Sequence, residues 1–465
     1  MSPDSPRAEC AHRLAGFALG LDLRRVPAPV IERACLHVLD ALGVALAATG
    51  YAFAERSRQA IGGLAGRGDS PVIGWPDRLP MRDAAWLNGL LIHGLDYDDT
   101  HGPSIVHASA SALPAVLAAG LARGVSGGHA LAAYLVAMEA DARIGAVDGR
   151  FQKQGFHPTG VVGAFGATLA AGRLMGMDFQ GQSHAQGIVL SMASGSLQFL
   201  EDGAWTKRMH PGWAASAALQ AGALAAGGFT GPAQPYEGRY GLYRTYLGYD
   251  GGEALGQRLE SLGESWEMLR VGIKPYPVCH FNHAFADAAL ALRAEHGLVP
   301  GDIERITVRI HPEQVPVVCE PVAAKCRPRT DYEAKFSVQF VVAAALARGR
   351  FTLDELEPDV LADETVLALA ARCGYEADPA SAYPQVFPGE VVIETRDGRR
   401  LAHREAVNRG ADGRPLSAAE IIAKFEDNAA RIMPDAAVDE LRERTLNLPA
   451  LDSLADLAEA FTAEP

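Results

Sequence analysis

Cysteine is scarce in this chain. Cys10, Cys35, Cys279, Cys319, Cys326 and Cys373 are scattered over 465 residues with no CxxC pair and no metal-finger spacing, so neither a disulfide framework nor a structural metal site is expected. Positive charge is also short. The 42 Lys and Arg against 56 Asp and Glu leave a net charge of −14, which argues against a nucleic-acid backbone or an anionic membrane as partner, because either selects a broad basic face. Long hydrophobic runs are missing too: the longest weakly polar stretch, 105–122, is broken by His107, Ser109, Ser111 and Pro114 and reads as a buried helix, not a membrane span of about 20 apolar residues. The first residues carry Asp4 and Glu9 without an apolar core ahead of a cleavage site, so no secretory signal is read and the cytoplasm is the expected compartment. There is no GxGxxG after a strand, no Walker-type phosphate loop, no GxSxG and no HExxH, which removes the standard nucleotide and hydrolase fingerprints.

What the chain does contain is alanine, glycine and helical periodicity. Its length suggests two or three domains. From about residue 7 to 263 apolar positions recur every three or four residues, as in VIERACLHVLDALGVALAATG, and glycine with alanine repeats closely through TGVVGAFGATLAAGRLMGMD and HPGWAASAALQAGALAAGGFTG. Such spacing lets helix backbones approach closely. Near Lys274 the character changes: IERITVRI alternates like a strand, EVVIETRDGRRLAHREAV is a hairpin pattern around Asp397-Gly398, and helical periodicity returns in LSAAEIIAKFEDNAARIM. The expected fold is mainly α: a large all-helical domain, 1–265 completed by 410–465, and a smaller α+β lid domain, 266–409.

Four polar clusters interrupt this small-residue background. The first, His93-Gly-Leu-Asp96-Tyr97-Asp98-Asp99-Thr100-His101 with His107 downstream, admits a metal site, an acid/base site or a capped helix end. The metal reading is weakened by the lack of a second dense His/Glu set. In the second, Gln154-Gly155-Phe156-His157-Pro158-Thr159, Pro158 suits a first helical turn, which puts His157 at a helix N-terminus that favours an anion. The third, Asp202 to Gly212, supplies Lys207, Arg208 and His210 ahead of a helix expected to open at Pro211-Gly212, and the fourth, Lys274 to His283, presents Lys274, Tyr276, His280 and His283 from a proline-stiffened segment where the composition changes. One of His280 and His283, three apart at a helix start, is expected to be structural.

LDYDDTH with His107, GFHPTGVVGAFGA, DGAWTKRMHPGWAA and KPYPVCHFNHAFAD, in this order, resemble the successive signature segments of the MmgE/PrpD family, and EAKFSVQF near Lys335 adds a further match. The family includes 2-methylcitrate dehydratase, cis-aconitate decarboxylase and iminodisuccinate epimerase. The resemblance implies a cofactor-free, metal-free homodimer with its active site between a helical domain and an α+β lid. It implies Asp96, Thr100, His107, His157 and Lys207 as active-site positions, expected to be catalytic, and adds the Lys274-to-His283 stretch, whose Lys274, Tyr276, His280 and His283 are expected to bind substrate together with Arg208 and His210 of the third cluster. The decarboxylase branch carries a lid tyrosine ahead of its EAR/EAK-type segment, whereas 319–330 here holds none and Tyr332 directly precedes Glu333.

The three activities share removal of a proton beside a carboxylate or imine carbon of a small polycarboxylate. Fixed cations and helix N-termini suit the substrate, and histidine suits the base. The expected function is therefore a lyase of the 2-methylcitrate dehydratase type, with an epimerase of an amino- or imino-dicarboxylate or a cis-aconitate decarboxylase-like enzyme as alternatives. A non-catalytic carboxylate binder and a metal-dependent hydrolase built on DYDDTH are the readings from other classes. The expected partner is a small anionic carboxylate, with no nucleic acid and no membrane.

Overall fold

The computed structural model describes residues 9–462. The chain forms two compact units: one comprises 1–273 with 417–465, the other 274–416.

The larger unit is helical. The helices Ala28–Ala48, Met81–His93, Ala108–Arg123, Gly127–Gly145, Pro158–Leu174 and Thr206–Ala226 form its body. Pro158–Leu174 is buried on every side except at Arg173, as expected of a helix made of Gly, Ala and Val with no polar face. Glycine is required where backbones meet: a Cβ on Gly89 would sit 2.6 Å from the Gly212 Cα of the neighbouring helix. Gly89→Ala gains about 1 kcal/mol of helix propensity but forces these helices apart, which costs about 1–3 kcal/mol. The expected net result is destabilisation, read as a lower urea midpoint.

Ala418–Ala429, the first helix of the C-terminal segment, returns to this unit. A Cβ on Gly43 would lie 2.9 Å from Phe425 Cδ2, so this helix too rests on bare backbone. Among the described residues no helix is long and apolar enough to cross a membrane.

The smaller unit is α+β. Its sheet has the order Cys373–Ala377, Ile303–Ile310, Gly389–Thr395, Arg400–Glu405, parallel in the first pair and antiparallel in the others. Ile306, Val308 and Ile310 alternate inward and join Phe285, Leu292 and Phe340, from the helices His283–His296 and Val338–Arg348, in one core. The hairpin closes at Asp397-Gly398, where Gly398 takes φ 86°, a conformation open to glycine at no steric cost.

Candidate active site

The site is built where four helix ends face one another. Helix Met81–His93 delivers His93 from its last turn. The chain then turns at Asp96, which adopts φ 55°, a left-handed conformation that Asp tolerates better than most residues. That turn brings Asp98 back, and His93 Nδ1 lies 2.7 Å from its Oδ2. Thr100–His101 is held as a two-residue antiparallel strand against Val271–Gly272. His107 caps the N-terminus of Ala108–Arg123. Its Nδ1 is 2.7 Å from the Asp99 carbonyl and 3.1 Å from Thr100 Oγ1, and its backbone N–H donates to Thr159 Oγ1 at 3.0 Å.

His157 caps Pro158–Leu174, and its backbone N–H donates to the Gly195 carbonyl at 2.9 Å. Its Nδ1 lies 3.0 Å from Nδ1 of His210, which sits in Thr206–Ala226. Ring centroids are 4.7 Å apart for His93 and His107, 5.4 Å for His93 and His157, and 5.2 Å for His157 and His210. One ring nitrogen from each of His93, His107 and His157 lies within 4.8 Å of the other two.

Helix Thr206–Ala226 starts earlier than the sequence suggested. It begins at Thr206 with Pro211 inside it, so Lys207 and Arg208 occupy its first turn and do not precede it. Pro211 cannot donate a hydrogen bond to the Lys207 carbonyl, and its ring crowds that carbonyl. Lys207 Nζ donates to Asp96 Oδ1 at 2.7 Å. Arg208 is buried, its guanidinium 4.1 Å from the Phe53 ring centroid, a cation–π contact that holds positive charge beneath the site.

Burial controls the electrostatics. It pushes His157 well below its ordinary range, with the positive fields of His93, Lys207, His210 and His107 acting in the same direction. Burial, then His93 and Lys207, brings His210 down to about 4. Both rings are therefore neutral at pH 7. Their Nδ1–Nδ1 contact then requires opposite tautomers, one ring donating and the other accepting. For His107, the Asp99 carbonyl can only accept, so Nδ1 carries a hydrogen, and in the neutral ring the lone pair lies on Nε2.

Behind the acidic loop lies a buried polar layer. His37 Nδ1 is 2.9 Å from Asp99 Oδ2, and the Ser109 hydroxyl bonds both Asp99 and Tyr134. Burial, reinforced by Asp98, raises Asp99 to about 7 while burial lowers His37. Lys424, from helix Ala418–Ala429, lies 2.7 Å from Asp40 Oδ1 and donates to the Tyr97 carbonyl at 2.7 Å. It also lies 3.8 Å from the Tyr97 ring centroid.

A cavity of 1010 Å³ adjoins the cluster. His210, Met209, Trp213, Tyr246 and the segment 193–198 line it.

The remaining sequence candidates lie in the smaller unit and form their own cluster. Lys274 is buried. The Tyr276 hydroxyl donates to Asp287 Oδ1 at 2.6 Å and accepts from Arg409 Nη2 at 2.9 Å, and burial pushes its pKa above the ordinary range. His283 is fully buried, with Nε2 3.1 Å from the Val278 carbonyl, and it stacks on His280 at 4.7 Å. Tyr276 and His283 are thus held by packing within this unit.

Sequence reasoning noticed His93 and Asp98 but gave them no role, and it passed over His37, Asp40 and Lys424. Their signal was a polar residue on an otherwise apolar helical stripe, as with His37 and Asp40 in VIERACLHVLDALGV.

A helical body carrying a buried histidine and lysine cluster, joined to an α+β unit, is the architecture of the MmgE/PrpD family, and the chain belongs to it. Residues 12–254 match the MmgE/PrpD N-terminal domain and 276–448 the MmgE/PrpD C-terminal domain. The chain is 30% identical to the cis-aconitate decarboxylase of Mus musculus over 92% of its own length and 88% of that protein's, and 29% identical to the Homo sapiens cis-aconitate decarboxylase over 94% and 91%. A 2-methylcitrate dehydratase of Salmonella typhimurium is 25% identical over 38% of each chain. Likeness to the decarboxylases thus runs almost end to end, while the dehydratase type preferred from the sequence is matched over a shorter span.

Proposed function

We propose that this protein is a lyase that decarboxylates a small unsaturated tricarboxylate of the cis-aconitate type. The observation that carries the reading is the buried cluster of His93, His107, His157 and His210 beside the Lys207–Asp96 pair. The near full-length likeness to decarboxylases supports it. The carbon–carbon bond to one carboxyl breaks and CO₂ leaves. The bonding pair remains on carbon, spread over the adjacent double bond, and one proton quenches it, giving a dicarboxylate. Lys207 and the helix N-termini at His107 and His157 hold the remaining carboxylates. His157 or His107 delivers the proton. Thr100 and Asp96 orient His107 and Lys207 respectively, and His210 fixes the tautomer of His157. Arg208 contributes its field from behind Phe53. Lys274, Tyr276, His280 and His283 are proposed as further substrate contacts.

Proton linkage gives a test of sign. His157 is neutral in the free protein, and a bound trianion raises its proton affinity, so binding takes up a proton. Affinity then weakens as pH rises, and KM is expected to increase between pH 6 and 8 by up to about tenfold per unit at full uptake. A KM independent of pH contradicts the assignment.

The dehydratase reading retains one favourable observation, the absence of tyrosine from 319–330. Proton NMR in D₂O on cis-aconitate and 2-methylcitrate separates the readings. CO₂ release with one solvent deuteron in the product supports decarboxylation. Alkene formation from 2-methylcitrate without CO₂ supports dehydration, and deuteration of an amino-dicarboxylate with inversion supports an epimerase. Turnover of none of them sinks the enzyme reading.

A further inference from the structure

Three imidazoles converge from three separate helix ends, and each has its Nδ1 fixed by a different neighbour. His93 uses the Asp98 carboxylate, His107 the Asp99 carbonyl and His157 the His210 ring. In His93 and His107 the nitrogen anchored on a carboxylate or carbonyl carries the hydrogen and leaves the lone pair of the neutral ring on the other nitrogen, the arrangement that supports ligation of a transition metal, and His157 joins them in the tautomer that donates to His210. His93 adds an independent sign. Its Nε2 has no hydrogen-bond partner among the described residues although the side chain is 1% exposed, and a buried acceptor in that state is costly unless something binds it.

We propose that His93, His107 and His157 form a three-nitrogen site for one divalent transition-metal ion of borderline softness, such as Zn²⁺ or Co²⁺, with the fourth position open. Tetrahedral Zn–N bonds of about 2.0–2.1 Å bring ligand nitrogens closer together than the 4.8 Å limit that bounds this cluster, so binding draws the rings inward. His93 can follow because it ends its helix. Hard cations such as Mg²⁺ or Ca²⁺ are excluded by the all-nitrogen ligand set. The neighbouring Lys207 ammonium opposes any cation here, which makes the ion exchangeable and not a permanent part of the fold. An ion on these nitrogens occupies the lone pairs that the lyase chemistry uses, so metal and turnover exclude each other. That consequence rests on the lyase reading, whereas the binding itself does not.

Equilibrium dialysis of the metal-stripped full chain against micromolar Zn²⁺, together with a visible-absorption titration with Co²⁺, tests the site. The expected result is one Zn²⁺ per chain and the intense absorption of four-coordinate Co²⁺. His93→Gln and His157→Asn each abolish both signals, and the Asn side chain can still reach toward His210. His129→Ala, on the surface, changes neither. Should the histidine variants fail to fold, isosteric Asp98→Asn decides: affinity about 10–100-fold weaker is expected, and unchanged affinity overturns the proposal. Absence of binding by the wild type, or full stoichiometry retained in folded His93→Gln and His157→Asn, also overturns it. If a polycarboxylate is turned over, Zn²⁺ inhibits and a chelator restores the rate. If none is, the dialysis result still stands, so the two readings fail separately.

Discussion

His157→Ala lowers turnover by about 100- to 10,000-fold while the protein stays folded. That range is what a positioned proton donor or acceptor contributes. The ring is buried, held by its own backbone at the start of Pro158–Leu174 and oriented by His210, so solvent cannot readily replace it. Lys207→Ala should give a loss of comparable size by another route, because it removes a carboxylate-binding cation and leaves the Asp96 carboxylate without that ammonium opposite an anionic substrate. His107→Ala completes the set. These losses are not expected to add, since the groups act on one reacting centre. Rates near wild type in all three folded variants would falsify the assignment, and circular dichroism with steady-state kinetics decides it.

Lys424→Met destabilises the larger unit by about 3–5 kcal/mol, the range for removing one partner of a buried ion pair. Asp40 is buried, and burial already lifts its carboxyl to about 6 against the stabilising field of Lys424. Without the ammonium that field is gone, and Asp40 must either stay charged in an apolar setting or take a proton. The variant should therefore regain part of its stability as pH falls toward 6, the opposite trend from His210. Its neutral buried ring has a folded-state value of about 4, below the ordinary 6.5, so its contribution is complete above pH 6.5 and lost as pH falls from there toward 4. The double variant Lys424→Met with Asp40→Asn should recover much of the loss. Urea unfolding at pH 7.5 and 6 measures these differences, and an unchanged midpoint in the single variant would overturn this account of the pair.

Much of this was legible in the chain. Glycine and alanine at helical spacing foretold close-packed helices, because only small residues permit the approach seen at Gly89 and Gly212. IERITVRI and the Asp397-Gly398 hairpin gave the strands, because alternation and turn chemistry are local. The histidines at 107 and 157 were readable because each stands immediately before a helix. The pairing of Lys207 with Asp96 was not readable, since 111 residues separate them and no local pattern encodes that distance. The start of Thr206–Ala226 was missed because Pro211 looks like an opening residue, whereas here it lies inside the helix. Nor could the partners of Tyr276 and His283 be read, because Asp287, Arg409 and the Val278 carbonyl are brought to them by the tertiary fold.

The contact between Lys424 and Tyr97, 327 residues apart in the chain, fixes an order of events during synthesis. The smaller unit, 274–416, is made in full before the segment beginning at 417 emerges, so it can complete its folding while the larger one still lacks Ala418–Ala429 and the helices that follow it. The acidic loop around Tyr97 can make its contacts to His37, His93 and Lys207 before Ala418–Ala429 arrives, and it gains Lys424 last. A ribosome-bound chain therefore presents a finished insert within an unfinished host, and the polar layer behind the histidine cluster is complete only when translation is almost over.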